Sequence, residues 1–92
     1  LGGDAGMTAS VTDNIISKSN YTPMSWASTG ILAIWGNDNV RFVNNIISEC
    51  MIGIYVYPGS TGCKIITNKF SLNTWDFYSY DDAAKVHANK FD

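Results

Sequence analysis

The sequence predicts an all-β fold of about three to four parallel coils stacked on one another. Three observations predict it: a phrase that recurs along the chain, an alternation of apolar and polar residues within each phrase, and an asparagine at the same place in every copy. The chain has 92 residues, enough for one domain. We therefore expect residues 1–92 to form a single segment of stacked coils.

The first phrase occurs four times, with an asparagine as its sixth letter. The copies are ASVTDNII from Ala9, VRFVNNII from Val40, CKIITNKF from Cys63 and AKVHANKF from Ala84. Separations of 31, 23 and 21 residues lie between successive members of the set Asn14, Asn45, Asn68 and Asn89. A loop insertion at residues 17–29, SKSNYTPMSWAST, explains the long first step. A recurrence of this length is typical of solenoid repeats.

A second phrase lies between the copies of the first and shares its period. It reads GILAIW from Gly30, GIYVY from Gly53 and TWDFY from Thr74. Aligned in this way, Ile54 and Trp75 are predicted to face the core, whereas Tyr57 and Tyr78 are predicted to face outward. Two independent phrases with one period argue against coincidence.

Residues within each phrase alternate with period two, as in a strand with two different faces. The columns predicted to face the core are apolar in every copy: Ala9/Val40/Cys63/Ala84, Val11/Phe42/Ile65/Val86 and Ile16/Ile47/Phe70/Phe91. A unit of about 22 residues cannot bury its own apolar face, so neighbouring units must stack. The alternative is an antiparallel sandwich, which needs a close turn between successive strands, whereas the turn sequences here come once per unit.

The asparagine column is predicted to be structural. Parallel stacking in register places the four amides above one another, so that each amide can bond to the next as an internal ladder. Asparagine also tolerates the left-handed backbone of a sharp corner, and we expect these residues to occupy the corner itself. No catalytic role is assigned to them.

Composition excludes several classes of function. Six basic residues stand against eight acidic ones, and the net charge of −2 argues against general nucleic-acid binding, which requires a basic excess. No apolar stretch has the length of a membrane span. Cys50 and Cys63 lack the spacing of a zinc site, so neither a metal nor a cofactor is expected. These cysteines could pair or remain free.

The stretch VRFVNNIISECMIGIYVYPGSTGCKIITNKF resembles the repeats of right-handed parallel β-helix proteins, the pectin-lyase-like superfamily. The resemblance extends from Ala9 to Asp92 and implies a right-handed β-helix. That family includes polysaccharide lyases, glycoside hydrolases, sugar epimerases, tailspikes and adhesins, so the resemblance implies a polysaccharide partner and an extracellular or cell-surface location. Fold alone does not give function. The catalytic signatures of the lyases, epimerases and polygalacturonases are missing here, and no catalytic residue is predicted.

A column of basic residues is the first candidate binding surface. Arg41, Lys64 and Lys85 occupy one outward column, and Lys69 and Lys90 form a second, shorter row. Rows of like charge repel unless something neutralises them. An acidic polysaccharide would neutralise the row; the alternative is a solvated face with long side chains in water.

Outward aromatic residues are the second candidate surface. Tyr55, Tyr57 and Tyr78 lie on the middle strands, flanked by Trp35 and Tyr80. Their rings can stack on the apolar face of a sugar, and their polar tips can hydrogen-bond its hydroxyls. We predict carbohydrate binding at Tyr55, Tyr57, Tyr78 and Trp35; the alternatives are cover by the insertion or contact with a partner.

The resemblance therefore implies a segment of an extracellular carbohydrate-active or carbohydrate-binding β-helix, of polysaccharide lyase or glycoside hydrolase type. The alternative is a structural stacking module of a surface filament, adhesin or tailspike without catalysis. No cap sequence is visible at either end. We therefore expect further β-helix coils, or identical chains, to stack there as part of a larger β-helix or an assembly.

Overall fold

The computed structural model describes residues 8–19, 28–33, 38–81 and 84–92, and within these ranges the chain is all-β, without a helix. Its eleven strands are β1 Ser10–Thr12, β2 Ile15–Ser17, β3 Thr29–Ala33, β4 Arg41–Val43, β5 Ile46–Ser48, β6 Ile52–Val56, β7 Lys64–Ile66, β8 Lys69–Ser71, β9 Trp75–Ser79, β10 Lys85–His87 and β11 Lys90–Phe91. The strands are short because each phrase supplies only a few residues before the chain turns.

The strands form three parallel sheets. Sheet A has the order β1-β4-β7-β10, sheet B has β2-β5-β8-β11, and sheet C has β3-β6-β9. The chain visits A, B and C in turn, and each return to a sheet places the new strand beside the previous one. Parallel neighbours need a long connection between them, and here the passage through the other two sheets provides it. The prediction of an all-β fold with parallel sheets is confirmed.

Register in sheets A and B joins equivalent residues of the first phrase. Arg41 pairs with Ser10 on one side and with Lys64 on the other. Ile47 pairs with Ile16 and Phe70 in the same way. The predicted insertion at residues 17–29 falls mostly outside the described residues.

Register between β6 and β9 differs by two residues from the alignment that the sequence predicts, whereas β3 and β6 pair as predicted. Trp75 pairs with Ile52, and Tyr78 pairs with Tyr55. The step of 23 residues between β5 and β8 therefore continues through β6 and β9, and the shortening by two residues falls after β9. A shift by two leaves every side chain on the same face, so the alternation pattern cannot detect it.

Trp75 is not in the core, and the prediction that it faces inward is wrong. Its side chain is 52% exposed, and its ring centroid lies 5.4 Å from that of Tyr78. The cause is an irregularity in β6 at Gly53, which follows Ile52, the strand partner of Trp75. A β-carbon on Gly53 would lie 3.2 Å from two core side chains, so this position points inward, and Ile54 is buried as well. Because two consecutive residues point inward, the alternation is interrupted here, and Trp75 lies outside the core although its partner Ile52 is only 7% exposed.

The inward columns of the first phrase meet in one core between the sheets. The largest fully buried apolar side chains are Phe42, Phe70, Ile47, Ile54 and Ile65. Phe91 stacks on Phe70 with ring centroids 5.3 Å apart, but its side chain is 49% exposed. The side chain of Val86 is 37% exposed. The core is therefore continuous through the middle strands and partly open at β10 and β11.

Left-handed backbone marks the corner between sheets A and B. The residues with positive φ are Asp13 (59°), Asn44 (58°), Thr67 (54°) and Ala88 (58°). Each stands one position before a ladder asparagine. The prediction that the ladder asparagines themselves occupy the left-handed corner is therefore wrong. At three of the four positions a backbone hydrogen bond to the neighbouring strand of sheet A supports the conformation, such as that from Asn44 N–H to the Ile66 carbonyl at 3.3 Å.

A second left-handed corner follows sheet B, at Lys18, Glu49 and Leu72. Leu72 has φ of 58° and is 77% exposed, so its side chain packs little while its β-carbon costs about 1–2 kcal/mol in this conformation. We expect Leu72→Asn to raise the free energy of unfolding by about 0.5–1 kcal/mol, because asparagine adopts this backbone readily. Urea denaturation measures it. Leu72→Ala is the control; an equal gain there would mean that loss of an exposed apolar group, and not backbone relief, stabilises the chain.

Candidate functional site

The outer face of sheet C carries five aromatic side chains, which we call the aromatic cluster: Tyr55, Tyr57, Trp75, Tyr78 and Tyr80. Tyr55 and Tyr78 lie opposite each other on β6 and β9, with ring centroids 5.4 Å apart. Tyr57 and Tyr80 follow two residues later, so they lie on the same face. Their backbone N–H groups donate to the carbonyls of Ala33 and Val56 at 2.8 and 3.0 Å, which extends the backbone pairing of sheet C to both residues.

Ring packing within the aromatic cluster is close and mostly tilted. Neighbouring centroids are separated by 5.3–6.3 Å, within the range that aromatic pairs prefer. Trp75 and Tyr80 are half exposed, at 52% and 50%, and the other three rings are partly covered. The rings support one another, so the cluster presents a stiff apolar surface with hydroxyl groups among its rings.

The Tyr78 hydroxyl stays neutral at physiological pH. Hydrogen bonding with Tyr80 raises the pKa of Tyr78 above its ordinary value, and the electrostatic interaction between the two hydroxyl groups adds to this effect. Neutral phenols can both donate and accept hydrogen bonds. The surface thus combines ring faces with polar groups of both kinds.

The structure brings together three of the four aromatic residues predicted to bind carbohydrate: Tyr55, Tyr57 and Tyr78. The fourth, Trp35, lies outside the described residues. Tyr80, which the sequence places only at the flank, belongs to the cluster, and Trp75 was missed because a regular alternation along the strand put it in the core. The continued alternation Tyr78-Ser79-Tyr80 is the sequence signal for Tyr80.

Arg41, Lys64 and Lys85, the other predicted site residues, lie opposite one another on three adjacent strands of sheet A. Arg41 and Lys85 are exposed and Lys64 is partly covered. They lie on a different sheet from the aromatic cluster. The two predicted binding surfaces are therefore separate.

The four ladder asparagines form one hydrogen-bonded row. Both the backbone N–H and the side-chain amide of Asn45 donate to Oδ1 of Asn68 at 2.9 Å, and the same pattern links Asn14 to Asn45 and Asn68 to Asn89. The second amide hydrogen of Asn68 reaches the Phe42 carbonyl at 2.9 Å. Asn45 and Asn68 are buried, and their amides are used within the fold.

Cys50 and Cys63 are both free and both buried. The backbone N–H of Cys63 donates to Oδ2 of Asp81 at 2.9 Å, and that aspartate is itself only 8% exposed. Burial, together with the nearby Asp81 charge, raises the pKa of the Cys63 thiol from its ordinary 9.0 to about 11. The thiolate is the reactive form of cysteine, so burial and the raised pKa both disfavour reaction at Cys63 in the folded chain.

We expect Cys63 to resist alkylation at pH 8 until the chain is unfolded. Because folding raises the pKa of this thiol, its contribution to stability is present below the unfolded pKa and is lost as pH rises from about 9 to about 11. The free energy of unfolding of the wild type should therefore fall more steeply over that range than that of Cys63→Ala. Parallel curves for the two proteins, or rapid native alkylation, would contradict the assignment.

Within the described ranges, no group of three or more His, Cys, Asp or Glu side chains could hold a metal ion. In that part of the chain, no helix has the length and apolar character needed to cross a membrane. The chain matches no protein-family model, no curated protein and no solved structure. Function must therefore be argued from the surfaces themselves.

Proposed function

We propose that this chain is a segment of a right-handed parallel β-helix, of the pectin-lyase-like kind, that binds carbohydrate through the aromatic cluster at an extracellular or cell-surface location. The order in which the chain visits sheets A, B and C supports the solenoid, because every return adds a strand in register beside the last. The asparagine ladder supports it as well, since it needs equivalent residues in successive coils.

The aromatic cluster is the observation that carries the binding function. A sugar ring presents C–H groups on its faces and hydroxyl groups around its edge. Tyrosine and tryptophan match both, because they join an apolar ring to a polar tip. A large apolar surface on one face of a sheet commonly marks a binding site. Rings that already pack against one another lose little freedom when a ligand arrives.

Binding, and not catalysis, is what the aromatic cluster supports. Glycoside hydrolysis generally requires two carboxyl groups that face one site at a defined separation. The five members of the cluster are tyrosines and a tryptophan, so they supply none. The proposal for this surface is therefore retention of a glycan chain.

Loss of two central rings tests the proposal. We expect Tyr57→Ala/Tyr78→Ala to lose at least about 80% of the affinity for the insoluble or arrayed polysaccharide that the wild type binds, because each stacking contact contributes about 0.5–1.5 kcal/mol. Tyr57→Phe/Tyr78→Phe keeps both rings and should retain most binding. Ile15→Ala removes an exposed apolar side chain elsewhere and should have no effect. Unchanged retention by the folded double alanine variant would refute the proposal.

A structural stacking module is the second candidate function. The asparagine ladder favours it because every hydrogen bond between its side-chain amides runs in the same direction. Among the described residues, no donor reaches Oδ1 of Asn14, whereas Asn89 keeps its backbone N–H for a further partner. Phe91 and Val86 are also partly uncovered beside it. A further coil, or an identical chain, would continue both the ladder and the core. Concentration-dependent association by light scattering, lost in Phe91→Glu, would support this; a monomer at all concentrations would exclude self-stacking.

A further inference from the structure

Positive charge is segregated on the outer faces of sheets A and B. Their strands hold five of the six basic residues of the chain: Arg41, Lys64, Lys69, Lys85 and Lys90. No aspartate or glutamate lies within any strand of either sheet. The chain as a whole carries −2, so its composition does not explain this distribution.

Strand register arranges these cations in two rows. Arg41, Lys64 and Lys85 stand on consecutive strands of sheet A, and Lys69 and Lys90 stand opposite each other in sheet B. Adjacent strands are about 4.8 Å apart, a spacing at which like charges directly opposite each other destabilise the sheet. The cations nevertheless lie opposite one another along the whole row, which indicates a partner that neutralises their charge.

The two rows flank one corner of the molecule. Only two residues separate β7 from β8, and two separate β10 from β11, so the basic strands of the two sheets follow each other directly. Thr67 and Asn44 lie on this corner, and the Thr67 hydroxyl donates to the Asn44 amide oxygen. His87 ends β10 beside the corner and is exposed. Asp13 and Ala88 lie at the two ends of the corner, so its centre is polar and uncharged and is bordered by cations on both faces.

We propose that this edge binds an anionic polysaccharide whose acidic groups run along the direction in which the strands stack. The repeat of the cations is comparable with the length of one sugar residue, so a linear glycan can present successive carboxylate or sulfate groups to successive strands. A polymer is favoured over a single small anion because the charges form a line. Nucleic acid is disfavoured by the negative net charge of the chain. This site lies apart from the aromatic cluster and does not depend on it.

Titration of the full chain with three polymers tests the proposal: polygalacturonate for carboxylates, dextran sulfate for sulfates, and neutral dextran. We expect at least one anionic polymer to bind at low salt, with an affinity that falls as salt rises, because counterions are released and exposed charges are screened. The anionic polymer that binds more tightly identifies whether the site prefers carboxylate or sulfate groups. Absence of binding to both anionic polymers at low ionic strength overturns the proposal.

Charge-neutral variants locate the site. We expect Lys64→Gln and Lys85→Gln each to weaken binding about two- to fivefold, the range for one exposed ionic contact. Lys18→Gln is the matched control, since it removes the same charge from an exposed position outside the strands. An equal loss in Lys18→Gln would show attraction by net charge alone and overturn the assignment. Tyr57→Ala/Tyr78→Ala should keep its affinity for the anionic polymer, which separates this proposal from carbohydrate binding at the aromatic cluster.

Discussion

Replacing Asn68 with alanine is expected to lower the free energy of unfolding by about 4 kcal/mol, because the cost of each orphaned buried polar group is about 1–3 kcal/mol. Oδ1 of Asn68 accepts two hydrogen bonds from Asn45 at 2.9 Å, and its amide donates to the Phe42 carbonyl at 2.9 Å and to Oδ1 of Asn89 at 3.1 Å. Asn68 is 1% exposed, so water cannot easily replace these partners. The loss would be a large share of the stability of a small domain.

The same substitution at Asn14 is the matched control. Asn14 is exposed, and its side chain makes two hydrogen bonds, to the Thr12 carbonyl and to Oδ1 of Asn45. Water can reach the groups that it leaves, so we expect Asn14→Ala to cost about 1 kcal/mol or less. Urea denaturation of both variants gives the comparison. Equal losses at the two positions would contradict the view that burial sets the contribution of the ladder.

Adding one methyl group at Gly53 is expected to cost about 3 kcal/mol, the upper part of the range for overpacking. The new β-carbon would stand 2.4 Å from the backbone oxygen of Asp76 and 3.2 Å from side-chain atoms of Ile47 and Phe70. A backbone oxygen cannot rotate away as a side chain can, so β6 and β9 would have to separate. That separation would also disturb Tyr55 and Tyr78 in the aromatic cluster.

Gly30 lies in β3, the strand next to β6, at the position equivalent to Gly53, and it provides the control. A β-carbon there would meet the Gly53 oxygen at 2.8 Å, which is less severe, and β3 pairs on one side only within the described residues. We expect Gly30→Ala to cost about half as much as Gly53→Ala. Thermal and urea denaturation measure both, with glycan retention as a second readout. A Gly53→Ala protein as stable as the wild type would show that the strands do not approach so closely.

Periodicity in the sequence determined much of the architecture. The alternation in VRFVNNII and CKIITNKF predicts that Phe42 and Ile65 are buried, and both are fully covered. The separations between the asparagines predict the register of sheets A and B, because each copy of the first phrase pairs with the next. Both inferences rest on residue types that recur at one position of the repeated phrase. Strands that pair in register bring equivalent positions of successive copies together. Tyr55, Tyr57 and Tyr78 could be grouped because alternation puts all three on the outer face, which a shift by two residues does not change.

Three features were decided only by tertiary structure. The position of the two-residue shortening was invisible, because a shift by two keeps every residue of sheet C on its face. The left-handed corner at Asp13 and its equivalents has no residue signature, since Asp, Asn, Thr and Ala all adopt it, and hydrogen bonds between neighbouring strands support it at three of the four positions. Trp75 faces outward because Gly53 and Ile54 both point inward, which interrupts the regular alternation. Each feature depends on contacts between neighbouring strands, and alternation along one strand contains no information on those contacts.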